Sequence, residues 1–249
     1  MNIAFFTQCQ CCPTKGGTER TTALVAESMK KFHGFRCFSI FSISSGPDER
    51  EADVFEESVQ VDYSEKSDPI LAGFISANAI SMVINQGDFY FCEAMHRTVR
   101  SHNLDCRQIF ALHFMPGSGE EALISPGETW RLWRRRPFSK ELLKIALYPF
   151  YHSFASKRFR SNYRNAEILS DRVVLLSDSF KEAWNMYAHG CKHIADDSRF
   201  SVIPNALSFD HFADSEEIKK KEKRILIVSR LDERQKRISK ALRIWQSVS

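Results

Sequence analysis

The sequence predicts an α/β fold, a parallel sheet with helices on both faces, followed by the opening of a second unit of the same kind. Three observations lead there. Short β-branched or aromatic runs alternate with helical patterns from Asn2 to Asn205. The stretch Lys223–Trp245, KRILIVSRLDERQKRISKALRIW, repeats the pattern once more as strand, charged loop and amphipathic helix. A chain of 249 residues with 43% hydrophobic and 27% charged residues has the composition of a soluble globular protein of one or two domains.

Each element has its own signal. Asn2–Thr7 reads as the first strand. Lys15-Gly16-Gly17 is a tight turn, and Thr18–Phe32 a helix that buries Ala23, Leu24, Ala26 and Met29 at helical spacing. Arg36–Ile43 is the second strand, Val59–Asp62 a short third, and Pro69–Asn78 a helix around Ile70, Leu71, Phe74 and Ile75. Ser81–Gln86 is a strand, Phe91–Ser101 a helix, and Arg107–His113 a strand running into the loop FMPGSGEE. A basic and aromatic stretch follows, helical from Ser139 to about Arg160. Asp171–Leu176 is a strand. Ser179-Phe-Lys-Glu182 fits a capping box that opens a helix to about Ala188. Phe200–Ile203 is a short strand before Pro204-Asn205.

The domain reading is 1–205 as a first α/β domain, 206–223 as a linker carrying the charge run EEIKKKEKR, and 224–249 as the first strand, loop and helix of a second domain. The partner strand of Ile225–Ser229 would lie beyond Ser249. A lone strand with apolar residues on both faces does not bury itself, so the second domain is expected to be truncated.

No run reaches the roughly 18 apolar residues that a membrane span needs. The N-terminus lacks the basic region and apolar core of a secretory signal. The cytoplasm is the expected compartment. The seven cysteines are scattered and odd in number, which suits free thiols under reducing conditions. Cys9-Gln-Cys11-Cys12 lacks a second ligand pair at zinc spacing, so loop thiols are expected and no metal. The net charge of +4 is unevenly spread: Trp130–Arg164 holds ten basic residues, Arg134, Arg135 and Arg136 among them, against the single acid Glu141.

Three places carry candidate chemistry. The loop Lys15-Gly16-Gly17-Thr18-Glu19-Arg20 lies beyond the carboxyl end of strand one, where ligands sit in open α/β sheets. Gly16 and Gly17 would let the backbone approach a ligand, and the helix N-terminus would offer unpaired N–H groups to an anion; a plain glycine turn is the alternative. Arg230 and Lys236 lie on one loop after the strand Ile225–Ser229. A guanidinium fork and a flexible ammonium suit a diphosphate and would stabilise it as a leaving group; an exposed charged loop is the alternative. His113 ends a strand before a Pro-Gly turn, a place that would expose the imidazole in a cleft. A structural histidine is the alternative.

Together these positions carry a resemblance. The chain resembles a family-4 glycosyltransferase of the GT-B fold, with two Rossmann-like domains facing across a cleft. GGTER after strand one resembles the family's glycine-rich loop, Val202-Ile-Pro-Asn205-Ala its IPNG-type segment into the second domain, and IVSRLDERQK its donor-phosphate motif. The resemblance covers the whole chain but only about two thirds of a usual member. It implies transfer of a sugar from a nucleotide-diphosphate donor, with retention and without metal or other cofactor. By that analogy Arg230 and Lys236 bind the donor diphosphate, Gly16 and Gly17 face donor and acceptor, His113 contacts the donor sugar or reaction centre, and Asn205 lies at the hinge of the cleft. The family's paired glutamates, E-x7-E, would fall downstream of residue 249, so the polypeptide alone is expected to be inactive or nearly so.

Family members often act on lipid-linked or membrane-bound acceptors. The acceptor is therefore expected to be a glycan or lipid-linked molecule. The patch Arg134, Arg135 and Arg136, with its interleaved aromatics, is expected to meet acceptor or membrane at the inner face. A solvated helix with buried aromatics on its other face is the alternative. No nucleic-acid module accompanies the basic run, so no nucleic-acid partner is expected. The competing function, from another class, is a non-catalytic truncated Rossmann-like binding or membrane-associated module.

Overall fold

The computed structural model describes residues 1–14, 16–46, 50–118, 134, 148–190, 197–205 and 238–248. Seven strands form one sheet: β1 (Asn2–Cys9), β2 (Arg36–Ile43), β3 (Ser58–Gln60), β4 (Met82–Asn85), β5 (Arg107–Ala111), β6 (Arg172–Leu175) and β7 (Phe200–Val202). Their order is β3-β2-β1-β4-β5-β6-β7. Every neighbouring pair is parallel. The order reverses between β1 and β4, the switch point beside which open α/β sheets bind ligands. This is the Rossmann-like α/β architecture expected.

The helices are α1 (Gly17–His33), α2 (Asp68–Ala77), α3 (Phe89–Ser101), α4 (Tyr148–Leu169), α5 (Asp178–His189) and α6 (Ile238–Val248). Strand alternation decides which face each covers. Ala4, Phe6, Phe38, Ile40 and Val83 form one buried face, packed on Leu71, Phe74 and Ile75 of α2 and Phe91 and Met95 of α3. The same face continues through Phe110, Val173, Leu175 and Phe200, where Tyr163 and Ala166 of α4 and Trp184 and Ala188 of α5 cover it. Ile3, Phe5 and Cys37 point the other way, onto Ala26, Val25 and Met29 of α1 and onto Val54. Both faces of the sheet are therefore buried, which is why its strands read as continuous apolar runs.

Most element ends fall within two residues of the sequence pattern. α1 ends where Gly34 takes the left-handed φ of 63° and its N–H bonds Lys30 O, at 3.1 Å. α5 is capped by Ser177, not Ser179. The Ser177 hydroxyl accepts from Phe180 N at 3.3 Å, and Ser179 pairs with Ser177 Oγ at 2.8 Å. The serine repeat allowed either register; Ser177 holds the extended backbone a cap needs, with φ −161°. α4 runs on to Leu169, nine residues past the expected end near Arg160, because Tyr163 and Ala166 continue its buried stripe.

The chain divides into two units, 1–118 with 147–206 and 119–146 with 207–249. The sheet and α1–α5 belong to the first. Of the second, α6 is described: its Leu242, Ile244 and Trp245 are about half exposed. The strand expected at Ile225–Ser229 lies outside the described residues.

Candidate functional site

The site is built at the carboxyl edge of the sheet, where each strand hands its chain to a loop. Backbone bonds continue past the strand ends and hold the loop starts in register. Gln86 N bonds Phe6 O at 3.0 Å, Leu112 N bonds Val174 O at 2.9 Å, and Ile203 N bonds Leu175 O at 2.8 Å. Asn85 stands opposite Phe110 in the β4–β5 ladder. One step further, Gln86 falls opposite Ala111, on the face that also carries His113. Gly87 turns the chain with φ 87°, and a side chain there would press on Ala111 O, Phe114 and Leu112. That glycine lets the β4 and β5 loops lie against one another.

Three polar side chains from three strand ends meet here. His113 Nε2 is hydrogen-bonded to Gln86 Oε1. The Asn205 side chain, just past β7, interacts with the same ring. The imidazole is half-buried rather than exposed, and its Nδ1 is buried with no hydrogen-bond partner. Burial pushes its pKa below the ordinary 6.5, and Asn205 opposes that shift without cancelling it. The ring is therefore neutral at pH 7. It can accept or donate a hydrogen bond without carrying charge. His113 and Asn205 are thus brought together. Gln86 was not singled out in the sequence; its signal was its place directly after a strand at the switch point.

Gly16 and Gly17 lie at the same edge, on the α1 face. Gly16 is the N-cap of α1, with φ −161° and no side-chain cap bond. Its extended backbone suits any residue, so conformation does not require glycine. A Cβ at Gly16 would collide with the Glu19 carboxylate, and one at Gly17 would enter open space. Gly17 therefore leaves the start of the helix uncovered, and the first-turn Glu19 makes that start less inviting to an anion.

The neighbouring cysteine loop is packed. Cys11 Sγ meets Glu19 O at 3.3 Å and Cys12 Sγ meets Ser45 Oγ at 2.9 Å. Burial, with Glu51 and Glu19 nearby, pushes the Cys11 thiol up to about 12, so it stays protonated and unreactive. Among the described residues no group of His, Cys, Asp or Glu is arranged to hold a metal ion.

On the opposite face of the edge, Tyr63 donates to Asp88 Oδ2 at 2.8 Å and meets Ser42 Oγ at 3.2 Å. Tyr90 lies 6.0 Å from Tyr63, and Arg158 of α4 sits 5.4 Å from the Tyr90 ring. Phe150 and Phe154, one turn apart on α4, are 77% and 68% exposed, so part of the basic-aromatic stretch does show its rings to solvent. Arg135, Arg136, Arg230 and Lys236 lie outside the described residues; Arg134 is exposed. Among the described residues no helix is long and apolar enough to cross a membrane.

No family model and no curated protein matches the chain. Among solved structures it resembles the lipopolysaccharide outer core galactosyltransferase WaaB in its apo form, at 13% identity and TM-score 0.51, over 84% of this chain and 47% of that one. It is also similar to a UDP-N-acetylglucosamine 2-epimerase from Listeria monocytogenes, at 12% identity and TM-score 0.41, over 80% and 44%. A third similarity is to an alpha/beta-galactoside alpha-2,3-sialyltransferase from Photobacterium phosphoreum, at 13% identity and TM-score 0.39, over 88% and 56%. The chain thus spans less than half the length of the galactosyltransferase. At such identities the likeness concerns the fold: it supports a GT-B-type Rossmann-like arrangement and does not single out family 4.

Proposed function

We propose that this chain is the acceptor-side part of a glycosyltransferase that moves a sugar from a nucleotide-diphosphate donor to a glycan or lipid-linked acceptor, with retention and without metal. The observation that carries the reading is the convergence of Gln86, His113 and Asn205 at the carboxyl edge, next to the switch point of a sheet shared with a galactosyltransferase.

The proposed roles follow the chemistry of each group. His113, neutral and half-buried, hydrogen-bonds a hydroxyl of the donor sugar near the reaction centre. Arg230 and Lys236 hold the diphosphate and stabilise the charge it gains as its bond to the sugar breaks. Gly16 and Gly17 leave room for donor and acceptor beside α1. Asn205 marks the passage from a first domain, 1–205, through a linker, 206–223, to a donor-binding domain that opens at 224. The basic residues Arg134, Arg135 and Arg136 meet acceptor or membrane.

The test is an NMR titration of the chain with a panel of nucleotide-diphosphate sugars. A member of the panel is expected to shift the ring signals of His113. A panel that leaves those signals unmoved at millimolar concentration rejects the reading.

A further inference from the structure

The loop after β5 is held at its far end by a buried phenol. Tyr163 of α4 is 1% exposed, and its hydroxyl oxygen accepts from Gly117 N at 3.0 Å. Other aromatics box the ring, with centroids of Phe89 at 4.7 Å, Trp184 at 4.8 Å and Tyr187 at 5.1 Å. Tilted and edge-to-face contacts of this kind fix a ring in the core. The phenol does not follow the loop; the loop is fixed to the phenol. Burial pushes the Tyr163 pKa above its ordinary 10.0, so the oxygen is a neutral acceptor at pH 7.

Gly117 makes the contact close. Its φ is 84°, in the left-handed region, and a Cβ there would stand 3.1 Å from Tyr187 Cδ2. Ser118 N closes a turn on Met115 O at 3.1 Å, and Pro116 is buried. At the near end Leu112 is buried, and its N–H is held by Val174 O at 2.9 Å. Phe114 leans toward the β4 turn: its Cε1 would lie 3.5 Å from a Cβ at Gly87. Between the two anchors His113 is half-buried, while Phe114 and Met115 are 40% and 57% exposed. The loop thus bridges the β4 turn and the α4–α5 pair beside the candidate site, and both of its ends are tied.

We propose that Tyr163 is the positioning residue of this loop: its hydroxyl, set in the aromatic box, pins Gly117 and so holds 113–118 as a preformed wall of the candidate site. The pin stands on the Tyr163–Gly117 contact alone. The wall's part in ligand binding rests on the transferase reading. A wall fixed before the ligand arrives adds no ordering cost to binding. A loop that has lost its pin must be ordered first, which weakens binding.

The experiment is amide hydrogen exchange followed by NMR in the full chain. Wild type is compared with Tyr163→Phe, which keeps the ring and removes its oxygen, and with Gly117→Ala, which keeps the phenol and crowds the contact. In Tyr163→Phe the Gly117 amide is expected to accelerate about 10-fold more than Leu112 and the β6 amides do, the scale of one lost hydrogen bond. Gly117 accelerating no more than those amides overturns the proposal, because Tyr163 would then act only through the stability of the core. If Tyr163→Phe does not fold, Gly117→Ala decides: Ser118 accelerating ahead of Leu112 supports the pin, and Ser118 keeping pace with Leu112 overturns it. The same samples are titrated with a panel of nucleotide-diphosphate sugars. The variants are expected to bind about 10-fold more weakly than wild type, as the cost of ordering a few loop residues implies. Equal affinity in wild type and in a variant with a loosened loop overturns the wall's part in binding. A wild type that binds none of the panel overturns that part and the transferase reading together, and the exchange rates still decide the pin.

Discussion

Tyr63 donates its hydroxyl to Asp88 Oδ2 at 2.8 Å while Asp88 Oδ1 accepts from Phe91 N at 2.9 Å, so one carboxylate both caps α3 and ties the loop after β3 to it. Burial is the main reason the Tyr63 phenol is pushed up to about 12. Tyr63→Phe removes the bond and keeps the ring against Phe6. It should cost about 1 kcal/mol, seen as a lower urea midpoint at an unchanged slope. Asp88→Ala loses cap and tie together and should cost more, about 2 kcal/mol.

Asp68 and Arg97 form a fork between the start of α2 and the middle of α3, with Nε to Oδ2 at 2.7 Å and Nη2 to Oδ1 at 2.8 Å. Arg97 Nη2 also reaches Tyr63 O at 3.2 Å. The guanidinium hydrogen bonds hold the Asp68 carboxyl below its ordinary 3.8. A depressed carboxyl adds stability that is present above its unfolded pKa and is lost as pH falls through the folded value. Arg97→Ala should therefore cost about 2 kcal/mol near pH 7. The gap between wild type and variant should narrow as pH falls below 3.8 in denaturant titrations.

His113 gives a prediction of the same sign at a higher pH. Its folded pKa lies below 6.5, so protonation favours the unfolded chain and the fold weakens as pH drops from 6.5 toward the folded value. A ring-proton NMR titration should place the His113 midpoint under 6.5. Asn205→Ala should lower it further, because Asn205 favours the charged ring. A midpoint that rises in Asn205→Ala contradicts the contact.

The basic-aromatic surface is tested with vesicles. Changing Arg134, Arg135 and Arg136 to Glu should abolish sedimentation with vesicles rich in anionic lipid, since each cation near such a surface contributes about 1 kcal/mol. Phe150→Ser with Phe154→Ser should weaken it less. Unchanged sedimentation of the arginine variant would sink the membrane reading.

The sheet was legible because its two buried faces leave unbroken apolar runs such as Asn2–Cys9 and Arg36–Ile43, bounded by glycines and helical stripes. His113 and Asn205 were legible as residues just beyond strands, since parallel strands send their loops to one edge. What the sequence hid was their meeting. They are 92 positions apart by number, and their proximity follows from the β5-β6-β7 order. Gln86 was hidden for a related reason: it reads as the last residue of a strand, and only the β4–β5 register turns it toward His113. The Ser177 cap was misplaced because Ser177 and Ser179 both precede the same helix. Gly16 and Gly17 suggested a backbone that a ligand can approach; Gly16 is extended and would meet Glu19 with a side chain, while Gly17 borders open space.

The measurement that bears most directly on the transferase reading is calorimetric titration of the chain with uridine, guanosine and adenosine diphospho-sugars, repeated on Arg230→Ala and Lys236→Ala. The account predicts that one of these donors binds the wild type and that each substitution weakens it about 10-fold or more, as loss of a charge-assisted contact to phosphate should. A stably folded chain that binds none of them would contradict it and favour a non-catalytic Rossmann-like module.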